Sequence, residues 1–303
     1  SSNVAVGFAA LEANTTASNN TAVGFTTLLS NTTGTRNTAI GANAGDAITD
    51  GLANALVGNN AGGGGNFSTG VAVGDNALLV NTGNNNTAVG QAAMVANTSG
   101  SENTAVGQGA LGSNTTAIDN TAVGRDALAL NTTGNENTAL GKDALSANTT
   151  GTNNLSLGSD TMLANTTGSN NVAVGYGALQ VNSTADDNTA VGDRALFNNT
   201  TGTNNSALGH DALKANTTGD QNTAVGSFAL DANTTAGNHV AIGYAALTQN
   251  TTGQRNTAVG ALSSQEMTTG DDNVAMGYLS LGANTTGTEN TAVGANALDA
   301  NTT

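Results

Sequence analysis

The chain has no cysteine, no proline and no tryptophan, and very little charge or aromatic content. Without cysteine there is no disulfide framework and no thiolate metal site, and the redox compartment stays open. Aromatic residues make up 3% of the 303 residues, too few to fill a large globular core beside so many alanines and glycines. Basic residues are scarce as well. Six lysines and arginines against 21 acids leave a formal charge of −15, which disfavours nucleic acid and anionic membrane surfaces as partners. No apolar run is long enough to span a bilayer, and no signal peptide is visible.

What is abundant is asparagine, threonine, alanine and glycine, a mixture that could read as low complexity. Two features argue for order: 37% apolar content and a strict period. A glycine follows a short apolar stretch at residues 7, 24, 41, 58, 74, 90, 107, 124, 141, 158, 175, 192, 209, 226, 243, 260, 277 and 294. The steps are 17 residues, except for two of 16. The consensus is Asn-Thr-Ala-Val-Gly-x-x-Ala-Leu-x-x-Asn-Thr-Thr-Gly-x-x, and positions are numbered below from its first Asn. A repeat this short cannot bury its own apolar residues, so neighbouring copies must stack. The expected fold is all-β, a repetitive parallel β-solenoid, or β-roll, of 18 coils. At the usual spacing between β-strands it would be a rod of about 85 Å. Residues 1–303 read as a single array, a segment of a longer fibre that begins and ends within the repeat.

Positions two to four predict a three-residue strand, β-branched on one face and small on the other. The glycine at five is expected to take a positive φ. Ala-Leu at eight and nine, as in Ala127-Leu128, suits either a short helical turn or a second strand. Val or Ile at four and Leu at nine are the expected inner ladders, which leaves the alanines at three to be covered by another chain or to face water. Asparagines at one and twelve are expected to stack on their counterparts, amide to amide. Residues 42–74 are irregular: Gly45 and Gly62 replace the leucine at nine, and Gly62 to Gly65 adjoin a shortened step. Thin packing or a bulged loop is expected there.

The motif as it stands in Asn171-Val172-Ala173-Val174-Gly175 and Val240-Ala241-Ile242-Gly243 resembles the YadA-like head repeat of trimeric autotransporter adhesins, and repeats of related fibrous surface and tail-fibre proteins. That family's repeat is usually shorter, and the Ala-Leu-x-x-Asn-Thr-Thr-Gly half departs from it. The resemblance implies a left-handed roll and a homotrimer.

Candidate chemistry is sparse. The histidines, His210 and His239, lie at different repeat positions and read as surface residues. No triad, metal centre or cofactor site is expected. Asp126, Asp143 and Asp160 share one repeat position, but Arg125 and Lys142 beside them offer compensation without a cation. Asn-Thr-Thr is an N-glycosylation acceptor pattern, so Asn114, Asn131, Asn148, Asn165, Asn216, Asn233 and Asn250 are candidate glycan sites if they point outward. An ice-binding face would need two outward threonines flanking one inward residue, and the Thr-Thr pair is adjacent. Phe8, Phe25, Tyr176, Tyr244 and Tyr278 follow the glycine; they could stand exposed as contacts, but their irregular occurrence favours packing over the turn.

The sequence therefore points to a non-enzymatic, extracellular or cell-surface structural or adhesive fibre that self-associates into a homotrimer or filament. The alternatives are a module binding carbohydrate, a host surface or, less readily, ice, and a glycan-coated filament. A β-helical polysaccharide-cleaving enzyme stands third, since it would need longer coils and clustered acids.

Overall fold

The computed structural model describes residues 2–303, and their fold is an all-β parallel solenoid with one three-residue strand per repeat. The chain divides into two compact units, one ending at Thr152 and the other beginning at Asn153. The first holds β1 (Val4–Val6) to β9 (Thr138–Leu140); the second holds β10 (Leu155–Leu157) to β18 (Thr291–Val293). Within each unit successive strands pair in parallel, like position on like position. Thr104, Ala105 and Val106 lie beside Thr121, Ala122 and Val123, and Thr189, Ala190 and Val191 beside Ser206, Ala207 and Leu208. No helix forms among the described residues.

Hydrogen bonds between coils continue well past the strand. In the first unit the Thr21 N–H donates to Asn37 O at 2.8 Å, and Gly24 reaches back to Val6 O at 2.8 Å. Further round, Asp126 donates to Gln108 O at 2.9 Å and Leu128 to Ala144 O at 3.0 Å. The second unit repeats the pattern, Gly226 donating to Leu208 O at 2.8 Å and Leu230 to Ala246 O at 3.0 Å. The Ala-Leu segment is thus neither strand nor helix. It is a turn in which positions seven and nine have left-handed backbones, Asp126 at φ 55° and Leu128 at 51°. A left-handed non-glycine residue costs about 1–2 kcal/mol, offset here by the inter-coil bonds and by complete burial of the leucine.

The glycine at five has the expected positive φ, 137° at Gly124. A second constraint acts there. A β-carbon on Gly124 would lie 2.3 Å from Gly141 O in the next coil, so any side chain would force the coils apart.

The core differs from expectation in which side of the strand it takes. Ala122, Ala127 and Leu128 are fully buried, as are Ala190, Ala195 and Leu196 in the second unit. Leucine at nine is an inner ladder, as expected. Alanine at three, expected to need an outside cover, is the other wall, while position four faces outward: Leu140 and Leu208 are about half exposed. The reason is volume. Leucines at nine already fill the width of so small a coil, and across from them only a methyl group fits.

Packing between residues 42 and 74 is not thin. Ile48 stands at position twelve in place of asparagine, Leu56 at three in place of alanine, and Phe67 lies further along; all three are buried. They fill the volume that Gly45 and Gly62 vacate, since a β-carbon on Gly62 would meet Phe67 Cζ at 2.8 Å. In the second unit Ser264 replaces the leucine at nine and Met267 the asparagine at twelve, both buried, which is the same exchange.

Candidate functional site

The asparagines form two kinds of ladder. At position twelve Asn131 Nδ2 donates to Asn114 Oδ1 at 3.2 Å and to Gly134 O at 2.9 Å. In the second unit Asn216 does the same to Asn199 Oδ1 at 2.9 Å and Gly219 O at 3.0 Å. At position one the side chain joins its own coil to the next: Asn188 Nδ2 donates to Gly202 O at 2.9 Å, and its Oδ1 accepts the Asn205 N–H at 3.0 Å. Buried amides satisfied at both ends replace apolar contacts in a core too narrow for large side chains.

Two interruptions show how the column works. Asn31 Oδ1 and Asn250 Oδ1 are buried without a hydrogen-bond partner. For these two the residue that would donate from the next coil is apolar, Ile48 after Asn31 and Met267 after Asn250, although Asn14 Oδ1 is also unpartnered with Asn31 following it.

This placement bears directly on the seven sequon asparagines. Asn114, Asn131, Asn148, Asn165, Asn216, Asn233 and Asn250 are all fully buried. Each donates Nδ2 to the carbonyl three residues on, at 2.9–3.2 Å. That nitrogen is the atom a glycan would modify, so a glycan would require the side chain to leave the core.

The histidines part company. His210 is partly exposed, but His239 is buried at 1% and so is not the surface residue expected from the sequence. It stands at position one and imitates the asparagine it replaces. Nδ1 accepts the Asn256 N–H at 3.2 Å, while Nε2 lies 3.0 Å from Asn250 Nδ2. Burial pushes its pKa down to about 4, and the backbone of Gly253 only partly offsets this.

Charge is gathered on the turn. Lys142 Nζ lies 2.9 Å and Arg125 Nη2 3.6 Å from Asp143 Oδ2, the compensation expected without a cation. Asp160, at the same repeat position, begins the second unit's series and is partly exposed. In that unit Asp211 is buried, with Arg194 Nη2 at 3.0 Å and Lys214 Nζ at 3.4 Å. Burial raises the pKa of Asp231 nearby, and Lys214 pulls it back. Among the described residues no group of three or more acids and histidines is placed to hold a metal.

Phe8, Phe25, Tyr176, Tyr244 and Tyr278 are exposed rather than folded over the turn. Phe8 and Phe25 stack at 5.4 Å, while Phe228 meets His210 and Tyr244 edge-on at 5.3 and 6.0 Å.

The most regular surface is the outer face of the strands. Position two is threonine in most coils; position four is valine, isoleucine, leucine or methionine in all of them. None of the 18 strands carries a charged residue at either position, although the chain bears −15. Val6, Ile40, Val57, Val73 and Leu140 are exposed in the first unit, and Leu208, Ile242, Met276 and Val293 in the second. Two outward columns therefore flank one inward alanine, so the outward-inward-outward spacing lies at the strand and not at the Thr-Thr turn. The signal was present as the consistent absence of charge.

No family model, curated protein or solved structure matches the chain.

Proposed function

We propose that this chain is a segment of an extracellular or cell-surface structural or adhesive fibre, in which stacked coils make a rigid shaft and copies self-associate, three to an assembly. The observation that carries this reading is the inter-coil bonding. Backbone bonds run between coils at the strand, at the Ala-Leu turn and at the Thr-Thr turn, where Thr217 donates to Thr234 O at 2.8 Å. Asparagine amides add a side-chain ladder through the core. Each coil is thus held to its neighbours on every side, which resists bending and stretching. The acidic turns keep the exterior soluble.

A second reading is supported by the exposed aromatics and by the uncharged strand face: a module that binds a carbohydrate or a host surface. The two are compatible in an adhesive fibre.

The test is negative-stain or cryogenic electron microscopy of purified protein, with protease shaving of intact source cells. Straight particles of uniform width, released from the cell surface, are expected. Compact globular particles, or protection of the chain until cells are lysed, would overturn the proposal.

A further inference from the structure

We infer that the strand face formed by positions two and four is where a second copy of this chain docks, so that Thr104, Val106, Thr121, Val123, Thr138 and Leu140 are interface residues. This rests on the self-association in the function proposed above and assigns the surface that performs it.

Three observations select the occupant. First, the face is apolar where it stands proud. Every position-four residue is aliphatic or methionine, exposed as at Val73 and Leu140 or half-buried as at Val106 and Val123, and aliphatic rows of this length at the surface mark interaction surfaces rather than ordinary exterior. Second, it is neutral in a strongly acidic chain. A basic protein, nucleic acid or phosphate surface would be recognised by charge, and this face offers none; a second copy of the same neutral face meets no repulsion. Third, the ladder is periodic. The strands pair like position on like position, so side chains recur at one strand spacing, about 4.8 Å. Only a surface with the same period can mesh with such a row over many coils, and another copy has it by construction.

Width and length point the same way. Nine strands of three residues present roughly 400 Å² per unit, against about 800 Å² per partner in a stable interface. A docked partner must therefore follow the row along the length of the unit, as a parallel or antiparallel copy does.

The chain has no cysteine, which makes the contact directly readable. Two single-cysteine variants are compared under mild oxidation: Val123→Cys on the face, and Thr133→Cys, which is exposed on the far turn. Rapid chain-to-chain crosslinking of the first and little of the second is the expected result. In parallel, sedimentation measures the mass of the wild type and of a V106K/V123K/L140K variant, with thermal melting as a check on folding. The wild type should be multimeric, and the lysine variant should be folded with association weakened about tenfold or more. A multimeric wild type that neither crosslinks at Val123→Cys nor dissociates with the lysines would overturn the assignment and leave self-association standing. A wild type that is one chain at every concentration would overturn both. If such single chains shape growing ice and the lysine variant does not, the face belongs to ice.

Discussion

Gly45 and Leu56 claim the same volume: a β-carbon built on Gly45 lies 2.7 Å from Leu56 Cδ1, and 3.0 and 3.2 Å from Leu28 Cδ2 and Ile48 Cδ1. The glycine is a packing partner, not a defect. Gly45→Leu alone should overpack the coil and lower stability by about 1–3 kcal/mol. Adding Ile48→Asn and Leu56→Ala, which restores the consensus, should recover most of that loss. Chemical denaturation of the single, double and triple variants measures the coupling, and simple additivity would refute it.

Ala122 and Val123 are adjacent and face opposite ways. Ala122→Asp should put an unpaired charge in the core and cost several kcal/mol, unfolding the coils around it. Val123→Asp should leave the melting of a single chain nearly unchanged, since the carboxylate stays in water. Comparable melting losses in the two variants would contradict the burial assigned to position three.

Asn131→Ala should cost about 1–3 kcal/mol despite the small change in volume. It leaves Asn114 Oδ1 without its donor, takes from Gly134 O one of the two amides that donate to it, and removes the acceptor used by Asn148 Nδ2 at 2.9 Å. Asn135→Ala, in the exposed turn of the same coil, should cost less. Thermal or urea melts of the two variants make the comparison.

His239 makes the second unit sensitive to acid. The unfolded chain takes up this proton from about pH 6.5, whereas the folded chain resists it down to about pH 4. Stability is therefore full above about pH 6.5, falls as the pH drops towards 4, and loses no more from this group below that. The change is roughly 3 kcal/mol. His239→Asn should remove this slope while keeping the ladder bonds. Urea midpoints of both proteins at pH 7.5 and pH 4.5 decide it: parallel losses would place the effect elsewhere.

Much of this architecture was written in the sequence. The 17-residue period dictates coil length, because each glycine at five must sit against the next. The asparagines at one and twelve were legible as stacked amides, since an uncharged amide repeated in every coil can bond to its own copies. Leucine at nine was legible as core. What only the tertiary structure decided was which side of the strand lies inside. Ala122 and Val123 are both apolar, so alternation carries no preference between their faces, and hydropathy favours the wrong one. Volume settles it: with Leu128 reaching across a coil this narrow, the opposite wall accepts only a methyl group. The valines are displaced outward, and the same steric limit that builds the core creates the exposed face.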